Sequence, residues 1–222
     1  MDKVPRAAMR KVLPLLPIFL VVAGWAVFPG AADASEEERL SATFDAYRVA
    51  VLNGRGSAAA DLVTDGTIAY YQSSRDDALT LSRAELETRP IIDQIQILSL
   101  RQYLDAAELQ GMDGRGLFIW AVDEGLVGEE GVRRIELTDF SIRDNDATGL
   151  VSAGGKRSTF RFRFAREDGE WRLDLLSVMA PVSSVMEAQA KKFGGRKIFI
   201  EYLIAQGFGG QARTDIWEPL VR

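Results

Sequence analysis

The sequence predicts an α+β fold, with N-terminal helices packed on an antiparallel sheet and further helices after it. Three observations predict it. Apolar residues recur at a helical period through the N-terminal half, alternate in and out from Arg133 onward, and return to the helical period after Pro181.

The chain opens on an export signal. Lys3, Arg6, Arg10 and Lys11 form a basic start, the uncharged stretch Val12 to Phe28 follows, and Ala32-Asp33-Ala34 offers the small-x-small pattern for cleavage. With Pro14 and Pro17 inside it, that stretch sits at the short edge for a membrane span, and a retained N-terminal anchor is the competing reading. Cleavage after Ala34 assigns residues 1–34 to a signal peptide and 35–222 to one α+β domain, periplasmic or secreted. A lipid anchor through a cysteine at the cleavage site is excluded, because the chain has no cysteine.

Ser35 with Glu38 makes a capping box, and Leu40, Phe44, Tyr47 and Val51 then line one face of a first helix until Asn53-Gly54. A short second helix runs from Ser57 to Val63. Thr67 to Leu81 reads as a third, with a strand over Ile68 to Tyr71 as the competing reading. Ser82 and Glu85 form another capping box, and Pro90 suits the first turn of a helix bearing Ile91, Ile92, Ile95, Leu98 and Leu100. Asp113 to Glu124 supplies one more, carrying Leu117, Phe118, Trp120 and Ala121.

From Val132 to Ile142 the pattern is a strand, with a bulge near Thr138-Asp139 that shifts its phase. Asp144 to Gly149 and Gly154-Gly155 are turns. Thr159 to Ala165 and Glu170 to Met179 are then two strands of a hairpin over Asp168-Gly169. That register sets Phe164 opposite Leu173, Phe162 opposite Leu175, and Arg163 opposite Asp174 on the other face. Phe160, Phe162, Phe164, Trp171, Leu173 and Leu175 thus share one apolar wall. Pro181 ends the strands, Ser183 or Ser184 begins a helix through Phe193, and Arg196 to Gln206 forms the last, with Ile198, Tyr202 and Ile204 buried.

Composition excludes whole chemistries. No cysteine means no disulfide, thiol nucleophile or Cys metal site, and no histidine removes His-based triads, bases and the usual zinc or copper sites. Removing 34 of 222 residues leaves 188, with 23 basic against 30 acidic residues and a net charge of −7. That balance argues against nucleic acid as a partner.

Helices first, on Ser35–Asn53, then strands over Val132–Ile142, Thr159–Ala165 and Glu170–Met179, give a layout that resembles the nuclear-transport-factor-2-like (SnoaL-like) cone superfamily. The resemblance implies a curved sheet whose concave face is covered by helices, leaving either a ligand pocket or a filled core. It covers most of the mature chain by layout and carries no signature residues. The superfamily holds isomerases, dehydratases and hydrolases as well as non-catalytic binding or dimerisation modules. Its His-Asp dehydratases have no counterpart in a chain without histidine, and the two helices after Pro181 extend beyond the usual ending at the sheet.

Asp144-Asn145-Asp146-Ala147-Thr148-Gly149 resembles half a calcium loop, but the twelfth position is Gly155, not Glu; the turn reading is preferred and no metal or cofactor is expected. Tyr70 and Tyr71, with Asp105 or Asp123 as the carboxylate, are the candidate kit for proton transfer beside a carbonyl. Two adjacent strands of the wall offer no polar group to such a site, which disfavours an enzyme. Arg133-Arg134, Lys156-Arg157 and Lys191-Lys192 read as solvated basic pairs, and the glycines of Phe193-Gly194-Gly195 and Gly207-Phe208-Gly209-Gly210 as helix stops. Phe208 and Trp217 read as folding back on the core rather than as exposed anchors. The function expected is an exported non-catalytic domain that binds a small apolar ligand or a protein partner, with a homodimer among the options. The alternatives are an acid–base isomerase or hydrolase and a structural envelope protein.

Overall fold

Hydrophobic periodicity and capping chemistry account for most of what the chain builds. The computed structural model describes residues 34–127, 132–207 and 212–221. The leader up to residue 33, with Ala32, and the segment holding Phe208, Gly209 and Gly210 lie outside the described residues. Among the described residues the order is seven helices, a four-stranded antiparallel sheet, then two helices, an α+β architecture with an open sheet.

The first helix, α1 (Glu36–Leu52), starts on the capping box of Ser35 and Glu38 and buries Leu40, Phe44, Tyr47 and Val51. The next two are α2 (Gly56–Ala60), shorter than its apolar run suggests, and α3 (Asp65–Thr80), capped by the Thr64 side chain. The strand alternative for Ile68 to Tyr71 is thus set aside. Between α2 and α3 the chain runs extended: Leu173 donates to the Leu62 carbonyl and Thr64 donates to that of Leu173, tying the helical layer to the sheet edge.

The remaining N-terminal helices are α4 (Arg83–Thr88), α5 (Ile91–Tyr103), α6 (Ala106–Gln110) and α7 (Gly114–Asp123). The second capping box, Ser82 with Glu85, forms, and a third, Asp105 with Glu108, starts α6. Gly114 is the contact point of α7 with α3, where a Cβ would stand 2.6 Å from the Ile68 carbonyl oxygen. Any larger residue would force the two helices apart.

The sheet is a meander of β1 (Ile135–Arg143), β2 (Asp146–Ala153), β3 (Lys156–Glu167) and β4 (Glu170–Asp174), in that order. The expected bulge appears between Thr138 and Ser141, where Asp139 takes a positive φ. Asp168-Gly169 turns the last hairpin with both φ angles positive, the mirror-image turn that matches strand twist. Phe164 faces Leu173 and Arg163 faces Asp174 across it.

The expected pairing of Phe162 with Leu175 does not occur. Asp174 ends β4, because its side chain accepts from the Leu176 N–H at 3.0 Å and opens a 3-10 turn over Leu175–Val178. The chain goes straight on into α8 (Met179–Lys192), so Pro181 lies in the first helical turn, where its missing N–H has no partner to lose. The last helix is α9 (Arg196–Gly207). Ile204 is buried in it as expected, but Ile198 and Tyr202 are not: they stand 55% and 44% exposed. Ile198 and Tyr202 lie four residues apart on one face, while Phe199, Ile200 and Ile204 take the buried one.

A buried arginine holds the C-terminal segment in place. Arg101 of α5 has no exposed surface, and its guanidinium donates to the carbonyls of Asp77, Ala78 and Leu81 at the end of α3. Its remaining donor reaches the carbonyls of Trp217, at 3.0 Å, and Ile216. Burial pulls its pKa down to about 10, so it stays charged at neutral pH. The carbonyls it meets there lie at the C-terminus of α3, where a cation is favoured; that of Asp77 also accepts the Leu81 N–H. Ile216 and Trp217 are buried beside it, and the Trp217 indole donates to Glu201 of α9 at 2.9 Å. Trp217 therefore folds back on the core.

Replacing Arg101 with Met strips the guanidinium donors from the carbonyls of Ala78, Leu81, Ile216 and Trp217. The expected loss is about 3 kcal/mol or more in denaturant unfolding. Arg101→Lys, with three donors in place of five, does not restore it. A loss below 1 kcal/mol, on the order of one surface substitution, would contradict the role.

Candidate functional site

The apolar wall is the first candidate, and most of it is core. Phe162, Phe164, Trp171 and Leu173 are buried, and the Phe44 ring of α1 lies 5.6 Å from that of Phe162. Ala147, Gly149 and Val151 of β2 complete the same face, and Gly149 leaves the room that the Phe140 ring fills. Phe160 lies in the part of β3 that β4 does not pair and is 36% exposed, and Leu175 packs against the core from the 3-10 turn beyond β4, so neither sits in the paired wall as expected. Where a pocket was one option, side chains of α1 occupy the space.

One polar group reaches that face from α1. Glu36 accepts from the Trp171 indole at 2.6 Å and from Arg166, whose guanidinium stacks on the indole 4.4 Å from its centroid. The Trp171 hydrogen bond, then the charges of Arg166 and Arg39, hold the Glu36 carboxyl below its ordinary 4.5. This clamp fastens the first turn of the helix that starts at Ser35 to the last hairpin of the sheet.

The tyrosine pair does meet a carboxylate, though neither of those expected. Tyr70 donates to Asp93 at the start of α5 over 2.8 Å. Burial first, then the Asp93 charge, pushes the Tyr70 phenol far above its usual range, and burial does the same to Tyr71. Tyr71 lies edge-on to Phe118 and to Tyr70. Asp105 is the N-cap of α6, and the Asp123 carboxylate accepts the Gly56 N–H at 2.6 Å. The structure therefore does not bring Asp105 or Asp123 to the tyrosines. Asp93 was missed because the pairing is tertiary; in sequence it reads only as an acid suited to the first turn of a helix.

The surface clefts are open, and one, between α1 and β1, is lined by Phe44, Asp45, Arg48 and Thr138, whose buried hydroxyl has no hydrogen-bond partner among the described residues. The one between α3 and the α6–α7 turn is lined by Gln72, Arg75, Met112 and Asp113. Gln72 accepts from Gly114, Arg75 donates to the carbonyls of Leu109 and Gln110, and Asp113 caps α7. Neither Tyr70 nor Asp93 lines it. Among the described residues no group of three or more acidic side chains is placed to hold a metal ion. In the Asp144 loop, Asp146 is instead bound to Arg163.

The remaining candidate is the end of the α8–α9 hairpin. Phe193, which closes α8, is 43% exposed, and its ring lies 4.6 Å from that of Tyr202 and 5.6 Å from that of Phe199. Gly194 and Gly195 make the turn at φ +102 and +120, values closed to other residues. Ile198 completes an apolar cluster that the core does not cover. Sequence reading placed Ile198 and Tyr202 inside because α9 is apolar on nearly every side, so no face announces itself.

The wall assignment is checked by three substitutions. Phe162→Ala is expected to lose roughly 3–5 kcal/mol in chemical unfolding. Phe160→Ala, at a partly exposed position of β3, should lose about 1 kcal/mol or less. Arg163→Ala breaks an exposed pair with Asp146 and a longer one, at 3.6 Å, with the part-buried Asp174, and should also stay under about 1 kcal/mol. Similar small losses at all three positions would mean that the face is not core.

No protein-family model, no curated protein and no solved structure matches the chain.

Proposed function

We propose that the chain is an exported, non-catalytic domain that works through its outer surface, with the α8–α9 hairpin as the contact. The observation that carries the reading is the cluster of Phe193, Ile198 and Tyr202, three large apolar side chains gathered at one end of the hairpin and left outside the core. Apolar side chains gathered on a surface mark interaction sites more often than chance exposure does. A small apolar ligand inside the sheet is disfavoured, because the aromatic wall already has Phe44 against it. An acid–base enzyme is disfavoured too, since the Tyr70 proton is committed to Asp93 and neither residue lines the cleft between α3 and the α6–α7 turn.

Export rests on the basic start, the uncharged stretch and Ala32-Asp33-Ala34, followed at once by the capped start of α1. A helices-then-sheet layout resembling the nuclear-transport-factor-2-like superfamily suits this reading, because that superfamily includes non-catalytic binding modules.

The test follows the protein in its own cells. The wild type should fractionate with the envelope or in a larger complex, cut after Ala34. Phe193→Ser with Tyr202→Ser should release it as a free monomer with an unchanged melting temperature. A wild type that already runs as a free monomer with a small molecule trapped inside would overturn the reading.

A further inference from the structure

We infer that the partner of the α8–α9 hairpin is an anionic lipid surface, on which Phe193, Ile198 and Tyr202 dock while the flanking cations meet the headgroups. The inference rests on the hairpin being the contact surface. Its own support is charge. The chain carries 27 basic against 32 acidic residues, yet four of the seven residues from 191 to 197 are basic: Lys191, Lys192, Arg196 and Lys197. Glu187 and Glu201 are the acids close by, paired with Arg196 at 2.7 Å and with Lys197 at 3.9 Å. Lys191 and Lys192 are exposed, and no ion pair engages them among the described residues. The end of the hairpin therefore has a cationic rim around an apolar centre, on a protein that is acidic elsewhere.

Each part of that arrangement fits a headgroup layer. Lysines on flexible stems reach phosphate without a fixed geometry, and aromatic and aliphatic side chains enter the boundary between headgroup and acyl chain. Tyr202 offers a polar end with an apolar body. The glycine turn puts no side chain between the two helix ends, so Phe193 and the basic residues present together. No helix among the described residues is long and apolar enough to cross a membrane. A second copy of the chain on the same face fits less well, because the two-fold arrangement would bring one rim of lysines against another.

The test is flotation of the protein, as its cells process it, with vesicles of phosphatidylcholine alone or mixed with phosphatidylglycerol. Binding to the mixed vesicles, absent with phosphatidylcholine alone and weakened by salt, is expected. Lys191→Ala with Lys192→Ala should weaken it roughly 25-fold, about five-fold per lysine. Phe193→Ser with Tyr202→Ser should abolish it without lowering the melting temperature. No binding to the mixed vesicles at low salt would overturn the inference. So would binding that both double variants leave unchanged, which would belong to a retained leader. If the aromatic variant frees the protein from the envelope while the vesicles never bind, the hairpin is the contact surface but its partner is an acidic protein face.

Discussion

The fold depends on the aromatic face of the β3–β4 hairpin being covered by α1. Phe162 and Phe164 alternate with arginines, so one side of the strand must leave water while the other stays in it. Each buried aromatic contributes about 1.5–3 kcal/mol relative to exposure, which no ion pair on the outer face approaches. Phe44 meets that face directly, and the Glu36 clamp to Trp171 and Arg166 sets where the helix begins. The short extended run around Val63 then protects the edge of β4, a strand that would otherwise present unpaired backbone groups. A sheet covered this way uses its aromatic face for stability.

A second constraint acts on the hairpin that remains outside. Arg101 gathers the end of α3 and the C-terminal segment around one guanidinium, whose hydrogen bonds all go to backbone carbonyls, with the charges of Glu218 and Asp77 nearby. Such an arrangement contributes geometry more than net stability, since the desolvation of a buried charge offsets much of its bonding. Through Ile216 and Trp217 it places a wedge beside α9, and the Trp217 hydrogen bond to Glu201 fastens α9 from behind. The buried face of α9 is thereby fixed and its opposite face presented. The same Glu201 stands near Lys197, so the hairpin's charge pattern and its anchorage share a residue.

Local chemistry was legible in the sequence, and tertiary partnership was not. The capping boxes at Ser35 and Ser82, the bulge at Thr138, the Asp168-Gly169 turn and the pairing of Arg163 with Asp174 all follow from neighbours within a few residues or one hairpin. Leu175 went astray because alternation continues through Asp174, although that residue's own side chain stops the strand. The exposure of Ile198 and Tyr202 depends on which side of an all-round apolar helix meets the core. Arg101 gives no signal at all, because backbone carbonyls carry no residue identity. Of the candidate site, Tyr70 was legible as half of a pair, while Asp93 belongs to another helix 23 positions away.

The central claim, that α1 seals the aromatic wall, is tested most directly by a double-mutant cycle on Phe44 and Phe162, each replaced by Ala singly and together. Chemical unfolding should give a coupling of about 0.5–1.5 kcal/mol between the two rings, as expected for an aromatic pair in contact. Strict additivity of two small losses would contradict it, because rings facing an open pocket would not depend on each other.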